Sequence, residues 1–134
     1  MPGAALVVDA TGVGRAVLDQ MCEASLAPVA VTITGGRFTS YDGAMWRVPK
    51  KALLRPLVAA TESGRLKVAK GLREAEAFQH ELLAFQRRIT ESGHSAFEGV
   101  GERDDLVIAA ALVAWWAERQ IGVHRGQRKP RPRL

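Results

Sequence analysis

The sequence predicts a mixed α/β fold built on a parallel strand pair. Three observations carry that prediction. Two short apolar runs, Ala5–Asp9 (ALVVD) and Val29–Thr34 (VAVTIT), are rich in β-branched residues and flanked by glycine or proline. That is the pattern of strands buried on both faces. Between them RAVLDQMCEA carries Val17, Leu18, Met21 and Cys22 at helical spacing. Strand, helix, strand in that order makes a right-handed βαβ unit. A third run, RFTSYDGAMWRV, alternates around Asp42-Gly43, which signals a two-residue hairpin.

The remaining elements follow from periodicity. Pro49 suits the first turn of a helix, and Leu53, Leu54, Leu57 and Val58 form its stripe to about Glu62, with Gly64 closing it. Leu66–Ala69 (LKVA) is expected to be a short strand. Leu72 to about Arg87 is expected to be an amphipathic helix with Ala75, Phe78, Leu82 and Phe85 on one face. Phe97 falls in a loop or short strand. A last helix is expected near Glu102–Arg119. Its segment Leu106–Ala117 (LVIAAALVAWWA) has no charged residue, so it should be buried on most sides. Residues 1–122 read as one domain, and 123–134 as a disordered basic tail.

Length and composition narrow the functional classes. A chain of 134 residues can bury one ordinary core without staples. One cysteine, Cys22, leaves no internal disulfide and reads as a small hydrophobe in a reducing compartment. No apolar run reaches the roughly 18 residues of a membrane span, and MPGAALVVD has no basic leader region. A cytoplasmic location with no membrane partner is the expectation. The net charge is +5, and Arg125, Arg128, Lys129, Arg131 and Arg133 equal all of it. The tail is therefore the candidate phosphate- or nucleic-acid-binding element, held out of helix by Pro130 and Pro132.

Candidate chemistry centres on three aspartates. Asp9 ends the first strand, where open α/β sheets bind ligands. Asp104 and Asp105 stand before the apolar helix, at the boundary between core and water. They read either as an N-cap with a first-turn acid, or as metal ligands. Hard oxygen ligands of this kind select Mg²⁺ or Mn²⁺, and two such ions can stabilise both oxygens of a phosphodiester displacement. The turn Thr11, Gly12, Gly14 is a tight turn that needs glycine, or a weak phosphate cradle. His80, His94 and His124 show no ligand spacing, and His80 is expected to be exposed. Glu74, Glu76 and Glu81 read as a solvated helix face, and Trp115 and Trp116 as core and rim packing.

Five segments, taken in order, resemble the C-terminal nuclease domain of bacteriophage terminase large subunits. They are ALVVDATGVGRAVLDQM, VTITGG, WRVPKKALL, GRLKVAKGLREAEAFQHELLAF and ERDDLVIAAALVAWW. The resemblance spans nearly all of residues 5–117. It implies an RNase H-like fold, related to resolvase-type nucleases, and metal-dependent cleavage of concatemeric double-stranded DNA during genome packaging in a bacterial host. It matches Asp9 to the family's second acid. Asp104 and Asp105 match its acidic pair, with Asp105 the closer ligand of Mg²⁺ or Mn²⁺. Arg103 stands where the family often has histidine. The family's first acid lies on a first strand, and that strand and the two after it have no counterpart here. The fold expected is thus a partial one. The strand Ala5–Asp9 becomes an open edge, expected to pair with a second copy or with another chain. Portal or other packaging proteins are the further partners implied.

Overall fold

The computed structural model describes residues 4–12, 14–92 and 104–126. The elements are β1 (Leu6–Asp9), α1 (Gly14–Glu23), β2 (Pro28–Thr34), β3 (Ser40–Tyr41), β4 (Met45–Pro49), α2 (Lys50–Glu62), α3 (Ala75–Ser92) and α4 (Asp105–Gly126). The chain is mixed α/β with one four-stranded sheet, ordered β1-β2-β4-β3. β1, β2 and β4 run parallel, and β3 pairs antiparallel with β4. The expected βαβ unit is present, and β1 lies at the sheet edge.

Side-chain alternation puts Val31 and Ala30 on opposite faces of β2, and both are buried. α1 packs on β2, while α2 and α4 pack together over the face that carries Val31 and Val48. That second face holds the core: Leu53, Leu54 and Leu57 from α2, Phe85 from α3, and Val107, Ala111, Leu112 and Trp115 from α4. Phe78, Leu82 and Trp116 pack at its margin, as their spacing predicts.

Local chemistry explains most boundaries. α1 ends at Glu23, and Ser25, in the left-handed region at φ 60°, turns the chain away from it. Leu26 N–H donates to Met21 O and Ser25 N–H to Cys22 O, which closes the last turn in a Schellman arrangement. The hairpin turns one residue later than expected. Asp42 N–H donates to Met45 O, so Gly43 and Ala44 form the tip, and Gly43 takes the positive φ of 93° at the first tip position. Asp42 holds the turn from its start, accepting N–H bonds from Ala44 and Met45. Pro49 is the last residue of β4 and the N-cap of α2 rather than a first-turn residue. Gly64, at φ 64°, ends α2 as expected.

Several expectations are corrected. Leu66–Ala69 is not a strand, since it adds to neither edge of the sheet. Leu66 N–H instead donates to Ala60 O, and the segment walls an open cleft of about 390 Å³ against Phe78 and Leu82. A four-residue strand needs a neighbour to supply its backbone bonds, and among the described residues it has none. α3 starts at Ala75, not Leu72, because Gly71 turns the chain at φ 84°. Cys22 is exposed, not packed. α4 is buried along one side rather than most sides: Val113 is 66% exposed, with Ala109, Ala117 and Ile121 also on the open face. α4 also runs to Gly126, so Arg125 belongs to its last turn and not to a disordered tail. Arg128, Lys129, Arg131 and Arg133 lie outside the described residues, as do His94, Phe97 and Arg103. Among the described residues no helix is long and apolar enough to cross a membrane.

Candidate functional site

The three parallel strands end on the same side of the sheet. They deliver Asp9, Thr34 and Pro49 there, and Lys50 follows directly. The turn after β1 is tied down on both sides. Asp9 Oδ1 accepts the Thr11 N–H at 2.8 Å. Thr11 Oγ1 accepts the Ile33 N–H at 2.8 Å, and Ala10 N–H donates to Val31 O. Gly12, at φ 113°, turns the chain toward α1. This is the tight turn that needs glycine.

α4 begins at the same sheet edge. Asp104 O accepts the first helical bond, from Ile108 N–H at 2.8 Å, which puts Asp104 at the N-cap position and Asp105 at the first helical position. Asp104 Oδ2 lies 3.8 Å from Lys50 Nζ, and both side chains are 19% exposed. Asp105 is exposed and favourably placed against the helix dipole.

The sequence reading missed two residues of this site, Glu81 and Lys50. Glu81 is not part of a solvated face. Its Oε2 accepts the N–H of Leu106 at 3.0 Å and of Val107 at 3.3 Å, so a carboxylate from α3 caps α4. Glu74, Glu76 and His80 are exposed, as expected. A signal for Glu81 was present. It sits three residues after Phe78 and four before Phe85, on the margin of the apolar stripe and not opposite it. Lys50 carried no comparable signal, since a lysine after a strand is ordinary.

The three predicted acids do not converge. Among the described residues no three of His, Cys, Asp or Glu are placed to hold a metal ion, so Asp9, Asp104 and Asp105 are not such a group. Register separates Asp9 from the end of β4, where Lys50 stands: Asp9 is level with Val31 and Trp46, and β4 runs three residues further to Pro49, about 14 Å from Asp9. The Lys50 ammonium beside Asp104 also supplies positive charge where a divalent ion would otherwise be held. These residues alone therefore do not fit a Mg²⁺ or Mn²⁺ pair. No family model, curated protein or solved structure matches the chain.

Proposed function

We propose that the chain is part of an RNase H-like nuclease domain of the terminase large-subunit type, acting on double-stranded DNA in genome packaging. One observation carries the reading: the parallel strands deliver Asp9 to the same sheet edge at which Lys50 ties down the acidic start of α4. The carboxyl ends of parallel strands are where open α/β sheets bind ligands, metal and phosphate included. The carboxylates present are too dispersed to hold Mg²⁺ or Mn²⁺ by themselves, so the reading needs a further acid from outside these residues. The edge of β1 is the place for it. Its outer backbone groups face no strand among the described residues, and Leu6 is exposed. A strand added there, from a second copy or a packaging partner, would end beside Asp9.

The test is plasmid nicking in Mg²⁺ and in Mn²⁺, at chain concentrations high enough for a second copy to add at the β1 edge. Metal-dependent nicking that is lost in Asp9→Ala and in Asp105→Ala supports the proposal. Nicking unchanged in both variants defeats it.

A second reading is favoured by the lack of a metal-binding trio among the described residues. In it the chain is a catalytically inactive module that binds DNA or a packaging partner through Arg125, Arg128, Lys129, Arg131 and Arg133. If all five neutralise phosphates on duplex DNA, the log–log salt slope of affinity is about −4.5. Removal of residues 125–134 with no change in affinity or slope rules this reading out.

A further inference from the structure

We infer that the β3–β4 hairpin and the second half of α4 form a binding surface for single-stranded nucleic acid, with an unpaired base on Tyr41 and phosphates at Arg55 and Arg119. Tyr41 and Trp46 are cross-strand partners whose rings stack with centroids 4.6 Å apart. The Arg119 guanidinium lies 4.0 Å from the Trp46 ring centroid, and Trp115 meets Trp46 edge-on at 5.6 Å. Trp46 thus meets Tyr41, Arg119 and Trp115 and is half-buried, while Tyr41 is the exposed member of the stacked pair. Tyr41 is 53% exposed, and its hydroxyl donates to Gly43 O at 2.8 Å, which fixes the ring. The result is a rigid aromatic face turned to water and backed by an indole and a cation.

Arg119 links this platform to an open cleft of about 290 Å³ between α2 and α4. The cleft is lined by Arg55, Arg119, Glu118 and Trp115, two cationic residues to one acid. Aromatic face plus positive balance is the combination that holds a polyanion by its bases and its backbone together. An apolar protein segment would gain nothing from the two arginines. A duplex keeps its bases stacked on each other, so the exposed tyrosine selects an unpaired strand. None of Asp9, Asp104 or Asp105 takes part, and the inference stands apart from the nuclease reading.

The test titrates the full chain with a labelled mixed-sequence oligodeoxynucleotide, single-stranded or annealed, read by anisotropy and by tryptophan quenching. The chain's three tryptophans, Trp46, Trp115 and Trp116, all lie in this cluster, so quenching reports on it directly. Tyr41→Ala is expected to weaken single-strand binding about tenfold, within the range for loss of one stacked base. Glu76→Gln, at an exposed position on α3, keeps wild-type affinity. Arg55→Gln, at an exposed position, lowers the salt slope by about 0.7. Any contribution of the basic tail is common to all variants and cancels in the ratios. Wild-type affinity in a folded Tyr41→Ala, or equal quenching by duplex and single strand, overturns the inference. If Tyr41→Ala does not fold, an unchanged salt slope in Arg55→Gln overturns it.

Discussion

Removing the Glu81 carboxylate should loosen the start of α4 and with it the candidate site. Glu81 Oε2 is the acceptor for the Leu106 and Val107 N–H groups, at the second and third helical positions where a capping side chain acts. Val107 is wholly buried, so water cannot readily replace the lost acceptor. An orphaned buried N–H costs about 1–3 kcal/mol, and loss of a negative charge at a helix N-terminus adds about 0.3–1 kcal/mol. The partly buried Leu106 N–H recovers some water, which keeps the sum near 2 kcal/mol for Glu81→Ala. With an unfolding entropy of about 2.1 cal/mol/K per residue, that lowers Tm by about 7 °C. Glu81→Gln keeps an acceptor and loses only the charge, so it should fall by less than half as much. Thermal melts followed by tryptophan fluorescence give the stabilities. Amide hydrogen exchange locates the effect, which should be largest at Leu106 and Val107. A Tm within 1 °C of wild type, with unchanged exchange at those two amides, would refute the capping argument.

Three further outcomes follow from single residues. Ser25→Gly should stabilise the chain by about 0.5–1 kcal/mol in chemical denaturation, because φ 60° suits glycine and strains serine; a loss of stability would contradict the C-terminal closure assigned to α1. Leu54→Ala, at a fully buried position on α2, should cost about 2–5 kcal/mol, and a loss under 1 kcal/mol would show that the α2–α4 contact is not the core. The Asp42 carboxyl is held below the usual aspartate range by the Met45 N–H, then the Ala44 N–H, with Arg47 adding to them. As pH falls, the unfolded chain protonates first. The contribution of Asp42 is therefore complete above the ordinary value of 3.8 and fades as pH drops through the lowered folded value. The stability gap between wild type and Asp42→Ala should narrow only below about pH 4. A gap that narrows between pH 5 and 7 would point to another group.

The elements were legible because their signals are local. Val29–Thr34, Leu53–Val58 and the Phe78–Leu82–Phe85 stripe each declare a period within about fifteen residues. Asp9 at a strand end and Asp104–Asp105 at a helix start were legible for the same reason. The misreadings share a cause as well. Leu66–Ala69 has strand composition, but a strand exists only if a partner edge is beside it. LVIAAALVAWWA is apolar all round, but burial depends on what packs against each side, and nothing described here covers Val113. Glu81 reads as solvated when it is grouped with Glu74 and Glu76, because its partner is 25 residues away.

The sequence by itself determined the α/β class, the parallel pair, the hairpin and the faces that form the core. Hydrophobic period and turn chemistry act over a few residues and need no knowledge of the rest of the chain. Only the tertiary structure decided the strand order that leaves β1 at an edge, the capping of α4 by Glu81, the pairing of Lys50 with Asp104, and the separation of Asp9 from the α4 acids. Each of these depends on which distant segments meet, and that is set by the closing of loops around a shared core.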